Sequence, residues 1–326
     1  MQTKTRQIKG RQTTVRKTDF HSAVRSFVGY LEGSGKAEHT IKNYQLDISA
    51  FHRFISDEYA KGDKGRILKV SEIDHTDLKR YSSHLKVKGL KNNTRRRKIL
   101  TVSKFLSYLA KRKKVGQELA HKVATPHKIE RIPFTVPVLE LLQNIQKLPK
   151  ESLLEFRNRC LFWTLLETGC LVSEIAELHF DQWVVNTAGR ATVEFGGKFQ
   201  RTVPVSNELF AEIQALKSKT KEATWIFFGF NKFGSLGSPI SSRGVEMLVK
   251  HYATRLGFPE LTPRTFRHSA ILKWFQDGLP QTEIQSRLGL KTTYAFRSYE
   301  PLLTSDGQTK SRTETTSTAE TTPTES

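Results

Sequence analysis

The stretch LTPRTFRHSAILKWFQDGLPQTEIQSRLGL at 261–290, with SYEPL at 298–302, decides the fold of this chain. It predicts two helices, over about 264–278 and 280–288, because apolar residues recur at helical spacing and a glycine closes each segment. Arg264 and Arg267 are three residues apart, so they share one face of the first helix. Tyr299 lies shortly beyond the second helix.

The residues that precede this stretch are also predicted to be mostly helical, with helices over about 206–218 and 241–256. The exception is RATVEFGGKFQRTVPVS at 190–206, where β-forming residues alternate around Gly196–Gly197. Such alternation predicts two antiparallel strands joined by a tight turn. The second part of the chain is therefore predicted to be α-rich with a small antiparallel β-sheet.

The first part of the chain is predicted to be helical throughout. Apolar residues at helical spacing indicate a helix from Phe20 to about Leu31 and a second from about Thr40 to Tyr59. A third helix begins near Asp74 or Thr76, either of which suits an N-cap. A fourth begins at Asn92–Asn93. Four or five helices are expected in this domain.

Composition divides the chain into five segments. We predict a disordered basic arm at 1–17, a helical domain at 18–115, a linker at 116–137, a second domain at 138–303 and a disordered tail at 304–326. The arm carries six Lys or Arg residues and no acid, the linker contains Pro126, Pro133 and Pro137, and the tail is rich in Thr, Ser and Glu.

Charge is concentrated at one end of the molecule. The net formal charge is +21, and residues 1–122 account for +18 of it, with 29 Lys or Arg against 11 Asp or Glu. A basic excess of this size favours a polyanionic partner, because each neutralised phosphate releases counterions. The first part of the chain is therefore the predicted nucleic-acid-binding part.

The cysteine content and the hydropathy pattern bear on the compartment. Cys160 and Cys170 lie outside any Cys-x-x-Cys or His/Cys cluster, which favours a reducing compartment and no structural zinc. No apolar run reaches the length of a membrane span, and no signal peptide opens the sequence. We expect a soluble cytoplasmic protein, associated with the nucleoid, with no membrane partner.

The fourth predicted helix carries a basic cluster at its N-terminus, made of Lys91, Arg95, Arg96, Arg97 and Lys98. A helix that buries one face and presents arginines from its first turns suits docking into the major groove of double-stranded DNA. The alternative is a charged face that contacts only solvent. The cluster is the candidate DNA-binding site.

Three motifs of the deciding stretch resemble the signature of the tyrosine-recombinase, or phage-integrase, family, in particular its Xer-like members. They are Arg267-His268, Ile284-Gln285 with Leu288-Gly289, and Tyr299. The segments ETGCLVSEIAELHFDQW at 167–183 and TIKNY at 40–44 also resemble this family, and the resemblance covers about residues 20–303. It implies an N-terminal helical core-binding (SAM-like) domain and an α-rich catalytic domain with a small antiparallel β-sheet. By the same resemblance, the two domains are expected to form a C-shaped DNA clamp.

The resemblance also implies a chemistry that needs neither metal nor cofactor. Tyr299 matches the nucleophile that forms a 3′-phosphotyrosyl bond, and Arg267 matches the second of two phosphate-binding arginines. Glu174 matches the acidic residue that supports the first arginine. Lys198 lies in the strand turn where the family has a lysine that protonates the leaving 5′-oxygen, although the turn is shortened here. His268 is expected to be a buried structural residue.

Three positions depart from the family pattern. Leu171 stands in place of the first arginine, and leucine has neither charge nor a hydrogen-bond donor. Arg264 replaces the first histidine; it suits phosphate binding but not base catalysis, because guanidinium stays protonated. Leu290 replaces the later histidine or tryptophan. A degenerate active site is predicted, with Tyr299, Arg267, Lys198 and Arg264 as the remaining catalytic candidates.

Three functions remain open. The chain is a working or weak recombinase acting in DNA recombination or integration, or an inactive paralogue that binds or organises DNA, alone or beside an active recombinase. The expected partners are double-stranded DNA and, on that DNA, further copies of the chain or an active recombinase. The third possibility is a non-specific chromosome-coating protein, which a large preference for one duplex over random DNA would exclude.

Overall fold

The computed structural model describes residues 19–59, 68–121, 124–220, 223–230 and 236–304, apart from the side chains of residues 59, 120, 121, 198, 230 and 236. The chain divides into two compact units, Met1–Glu130 and Arg131–Ser326. The predicted basic arm, and the predicted tail from residue 305 onward, lie outside the described residues.

The first unit is a helical bundle. Its helices are α1 (Phe20–Gly33), α2 (Glu38–Tyr59), α3 (His75–Val87), α4 (Asn92–Lys111) and α5 (Gln117–His121). Aromatic rings fill its core. The ring centroids of Phe27 on α1 and Phe105 on α4 are 5.4 Å apart, and Phe105 also packs against Phe20. Because each helix buries one apolar stripe in this shared core, the predicted helical domain is confirmed.

Two details of the first unit go beyond the prediction. Asp74, not Thr76, caps α3: its carboxylate accepts from the Asp77 amide, while the Asp77 side chain accepts from the Asp74 amide. The segment 116–137, predicted to be a linker, begins with α5. Val115 and Leu119 are spaced four residues apart and are buried in the core, which explains the extra helical turn.

The second unit is also mostly helical. Its helices are α6 (Val138–Gln146), α7 (Leu153–Thr168), α8 (Val172–Ala176), α9 (Asn207–Lys219), α10 (Ser242–Tyr252), α11 (Pro263–Gln276), α12 (Gln281–Leu288) and α13 (Glu300–Thr304). Helix α7 is buried on nearly every side, as expected for a helix at the centre of a domain. None of the helices in the described ranges combines the length and apolar character needed to cross a membrane.

Five short strands complete the second unit. They are β1 (Trp183–Val185), β2 (Ala191–Phe195), β3 (Arg201–Pro204), β4 (Phe228–Phe230) and β5 (Leu236–Pro239). The first three form an antiparallel sheet in the order β1-β2-β3, and β4 pairs with β5. The predicted pair β2–β3 is confirmed. Phe195 pairs with Arg201, however, so a 3-10 turn at Gly197–Phe199 replaces the predicted tight turn.

Gly289 brings the β2–β3 connection onto the end of α12. This glycine has a φ of +63°, which favours a residue without a side chain. A Cβ atom placed there would lie 2.9 Å from Cβ of Phe199 and 3.2 Å from its carbonyl oxygen. Contacts this short exclude any other residue without movement of the connection. Gly289 therefore allows residues 196–200 to pack directly on α12.

Candidate active site

Four segments of the second unit converge on the candidate active site. Helix α11 carries Arg264, Arg267 and His268, and the 3-10 turn Thr293–Tyr299 ends on the candidate nucleophile. The 169–174 bend, made of the connection between α7 and α8 and the first turn of α8, carries Leu171 and Glu174. The C-terminal end of α12 provides backbone carbonyls. Residues far apart in sequence are thus brought to one place.

Tyr299 is buried, and its hydroxyl contacts a histidine of α11. Its hydroxyl is hydrogen-bonded to Nδ1 of His268, and the direction of this bond depends on the imidazole tautomer. Phe275 and Phe296 belong to the same apolar cluster as the phenol ring. The sequence indicated only a structural role for His268, so its contact with the candidate nucleophile is one that the motif did not predict.

Burial and positive charge keep this pair neutral at rest. Burial lowers the pKa of His268 to about 4, with further lowering from Arg264 and Arg267. Burial raises the pKa of the Tyr299 phenol, against which the charge of Arg267 acts. At neutral pH the imidazole is therefore uncharged and the phenol keeps its proton.

The low pKa of His268 predicts an acid-sensitive second unit. Because the pKa of about 4 in the folded chain lies below the ordinary histidine pKa of 6.5, the unfolded chain takes up a proton that the folded chain does not. Stability should fall as the pH drops from about 6.5 towards 4. When the pH is lowered from about 7.5 to about 5, we expect the free energy of unfolding to fall less in His268→Gln than in wild type.

Urea unfolding followed by tryptophan fluorescence measures this effect, because all four tryptophans lie in residues 131–326. His251→Gln, at an exposed position on α10, is the matched control and should behave as wild type. Equal losses in His268→Gln and wild type would contradict the assignment.

Arg267 is held by two backbone carbonyls. Its Nη1 donates to the carbonyl oxygen of Gly169, and its Nη2 lies 3.4 Å from that of Leu288. Gly169 ends α7 in the left-handed conformation, with a φ of +56°, which turns the chain into the 169–174 bend. Burial lowers the pKa of Arg267, and the Glu174 carboxylate acts in the opposite direction.

Glu174, which matches the acidic residue that supports the family's first arginine, has a different arginine as its partner. Arg201 on β3 binds both of its carboxylate oxygens, at 2.7 Å and 2.9 Å, and also donates through Nε to the Arg287 carbonyl at 2.6 Å. Leu171 is exposed beside this pair, and its amide donates to Glu174 Oε2 at 2.7 Å. Arg201 was missed, although the alternation along β3 points it inward with Val203.

Three further positions named in the sequence analysis, Arg264, Lys198 and Leu290, lie in different surroundings. Arg264 is exposed and has no hydrogen bond or ion pair within the described part of the chain, and its positive charge, one helical turn before His268 on α11, helps to lower the pKa of that imidazole. The backbone of Lys198 lies in the 3-10 turn of the β2–β3 connection, while its side chain falls outside what the structure describes. Leu290 is half-buried against the α11–α12 cluster.

The basic cluster of the first unit begins α4, as predicted, but most of its side chains have partners. Arg97 and Lys98 both pair with the buried carboxylate of Asp47 on α2. Arg96 donates to the Pro126 carbonyl at 2.7 Å, and Arg95 to the Asn92 side chain at 3.0 Å. Lys91, at the N-cap, is exposed and has no such partner in the described ranges.

A groove between α2 and α4 was not anticipated from the sequence. It has a volume of about 940 Å³, and its lining includes Thr40, Asn43, Tyr44, Arg96, Ser103 and Lys104. Lys104 donates to the Tyr44 hydroxyl at 3.2 Å. The helical spacing of these polar residues on the two helices is the signal that would have indicated the groove.

Comparison with known proteins agrees with this architecture. Residues 137–302 match the model of the phage integrase family, and residues 24–113 match that of the phage integrase N-terminal SAM-like domain. Tyrosine recombinase XerC of Pelobacter propionicus is 26% identical over 279 residues, which is 84% of this chain and 89% of that protein.

Two solved structures show the same fold at low sequence identity. A XerH site-specific recombinase bound to its difH substrate aligns with a TM-score of 0.63 at 18% identity, over 85% of this chain and 81% of that one. A lambda integrase dimer bound to a COC′ core site aligns with a TM-score of 0.64 at 16% identity, over 91% and 81%. The chain belongs to the phage integrase, or tyrosine recombinase, family.

Proposed function

We propose that this chain binds specific sites on double-stranded DNA and that Tyr299 attacks the scissile phosphate to form a 3′-phosphotyrosyl bond, in DNA recombination or integration. The observation that carries the proposal is the hydrogen bond between Tyr299 and His268, next to Arg267 on the same helix. A nucleophile, an imidazole and a guanidinium then share one site, which is what phosphoryl transfer to tyrosine needs.

The reaction is impaired in this proposal because phosphate binding is incomplete. Leu171 offers no donor, and the donors of Arg201 are directed at Glu174, the Arg287 carbonyl and the Phe199 carbonyl. Arg201 therefore replaces the missing arginine as a partner of Glu174 but not as a ligand of phosphate. Loss of one preorganised donor slows such reactions by about 10²–10³-fold.

Partners follow from the charge and from the relatives. The XerH and lambda integrase structures are DNA complexes, and the latter contains a dimer. We propose double-stranded DNA as the partner of this chain, together with further copies of itself or an active recombinase on the same DNA. The net charge of +18 in residues 1–122 supports DNA binding there, and binding to chromosomal DNA would place the protein at the nucleoid, in the cytoplasm.

A second candidate is an inactive paralogue that occupies DNA without cutting it. The exposed Leu171 and the Glu174–Arg201 pair favour it, because both remove phosphate ligands from the site while the rest of the fold is kept. The two candidates share DNA binding and differ only in whether a covalent adduct forms.

One experiment separates the candidates. Duplexes that bind the full chain are selected from a random-sequence library, and the preferred duplex is then nicked so that cleavage traps the protein covalently. Slow adduct formation that Tyr299→Phe abolishes would support the first candidate. Specific binding without any adduct would support the second. Equal binding to the selected duplex and to random DNA would contradict both.

Lys91 gives a direct test of the DNA-facing helix. Lys91→Ala should weaken binding to all duplexes alike and lower the slope of log affinity against log salt by about one, since one phosphate contact is lost. Filter binding at several salt concentrations measures the slope. Lys217→Ala, at an exposed position on α9, is the control. An equal change of the slope in both variants would contradict the assignment of Lys91 as a phosphate contact.

A further inference from the structure

We infer that His268 is the residue that accepts the proton of Tyr299 when its hydroxyl attacks the phosphorus. This inference rests on the proposed function and assigns the proton-transfer role that the positions of Arg264 and Leu290 no longer provide. It starts from the contact between His268 Nδ1 and the Tyr299 hydroxyl. Histidine is the commonest general base in proteins, and the contact places it within reach of the proton it would take.

The geometry suits an acceptor. His268 lies on α11 immediately after Arg267, while Tyr299 ends the 3-10 turn that follows α12. Phe275 and Phe296 pack with the phenol ring in one apolar cluster, so the hydroxyl is held at the imidazole. When the imidazole proton is on Nε2, Nδ1 is free to accept. Tyr299 then donates its proton along an existing hydrogen bond.

The charges around the pair make the transfer depend on substrate. The positive charges of Arg264 and Arg267 disfavour a further positive charge on His268, so His268 and Tyr299 both stay neutral before DNA is bound. A phosphodiester bound next to these arginines brings a negative charge that offsets this repulsion. The imidazolium formed during attack would then lie beside the phosphate. Tyr299 is therefore kept protonated until a phosphate is in place.

The Tyr299 oxygen forms a bond to phosphorus, its proton moves to Nδ1 of His268, and the bond from phosphorus to the 5′-oxygen breaks. The 5′-oxygen takes a proton from water or from the Lys198 ammonium. In the rejoining step the 5′-hydroxyl attacks phosphorus and gives its proton back to the group that supplied it, the bond to tyrosine breaks, and His268 returns its proton to the phenol.

A purely structural role for the same hydrogen bond makes a different prediction. His268→Asn can keep an acceptor oxygen near the Tyr299 hydroxyl, but an amide does not take up a proton at neutral pH. If His268 only holds the phenol, the Asn variant should form adduct like wild type. If His268 takes the proton, His268→Asn and His268→Ala should both be slower by about 10²-fold.

The test uses the full chain and the nicked duplex chosen by selection. Adduct formation is compared in wild type, His268→Asn, His268→Ala and Tyr299→Phe, with duplex affinity and urea unfolding measured for each. Imidazole added to the buffer should accelerate His268→Ala by about tenfold or more, because it fills the space and restores the base, and should leave Tyr299→Phe inert. A structural role would not give this rescue. Should His268→Ala fail to fold, His268→Asn alone carries the comparison.

A second duplex identifies which proton is moved. It carries sulfur in place of the bridging 5′-oxygen, so its leaving group departs without protonation. The defect of His268→Asn should persist on it. Equal rates for wild type and His268→Asn on this duplex would mean that His268 acts on the leaving group, and would overturn the inference. Adduct at wild-type rate in His268→Asn on the ordinary duplex would overturn it as well.

Failure of the proposed function gives a separate result. If wild type binds the selected duplex but forms no adduct on either version of it, the cleavage chemistry is absent, and the role of His268 falls with it. If wild type forms adduct and the His268 variants match it, only the present inference is wrong.

Discussion

Leu171→Arg should increase the yield of covalent Tyr299–DNA adduct by about 10²–10³-fold, which is the effect of one preorganised donor on a developing phosphate charge. Position 171 is 39% exposed, so an arginine there loses little hydration. It begins α8 beside Glu174, whose carboxylate accepts three hydrogen bonds, from the Leu171 amide and the two Nη atoms of Arg201. A carboxylate offers about four acceptor positions, so one remains for the new guanidinium.

The control for this prediction separates charge from geometry. Leu171→Lys adds the same charge without the planar fork that binds two phosphate oxygens, so it should give a smaller increase. Trapping on the nicked duplex measures both variants, with Tyr299→Phe as the blank. If Leu171→Arg binds the duplex as wild type does and forms no more adduct, the missing donor is not what limits the reaction.

Adding Arg264→His and Leu290→His to Leu171→Arg should increase the rate further, by up to about 10²–10⁴-fold, through proton transfer. The gain should be smaller than the product of the single effects, because groups that act together are not additive. Helix α11 would then present histidines at both 264 and 268. A triple variant that binds DNA without forming adduct would place the defect in the shortened Lys198 turn or in the position of Tyr299.

Arg201→Met should destabilise the second unit by about 3–5 kcal/mol, the usual cost of removing one partner of a buried ion pair. The Arg201 side chain is only 3% exposed and that of Glu174 is 13% exposed, so the remaining carboxylate would be buried without a counter-charge. The carbonyls of Arg287 and Phe199 would also lose a donor. Urea unfolding by tryptophan fluorescence reports on this unit alone.

Glu174→Gln in the same background gives the matched comparison. The double variant Arg201→Met/Glu174→Gln has no unpaired charge and keeps an acceptor for the Leu171 amide, so it should recover most of the lost stability. Losses below about 1 kcal/mol in Arg201→Met would show that the pair behaves like an exposed salt bridge.

Elements with strong local signals were predictable from the sequence. The stripe from Phe20 to Leu31 and the cap at Asp74 each act within a few residues, and the structure agrees with both. Helix α5 was not predicted, because its burial depends on contact with helices distant in sequence. Strand β1 was missed because three residues are too few to show a period.

The candidate site was likewise predictable from the sequence only in part. Tyr299 and Arg267 were identified as candidate site residues because their motifs keep the family's order and spacing. The pairing of Arg201 with Glu174 joins residues 27 apart on different elements, and composition does not say which charges meet. The contact of His268 with Tyr299 spans 31 residues and is equally invisible to local patterns. Both pairings required the folded chain.

The close approach at Gly289 has a consequence for the history of this site. A longer β2–β3 connection, with its lysine farther ahead of the strand, would have to displace Phe199 from the end of α12, where its Cβ leaves no room for any residue but glycine at 289. Lengthening the connection would therefore cost packing at the end of α12 before it moved the lysine to the place that the family pattern gives it. The length of this connection and the residue at position 289 are thus coupled, so in any lineage of this fold an insertion in the connection should be accompanied by a change at the end of α12.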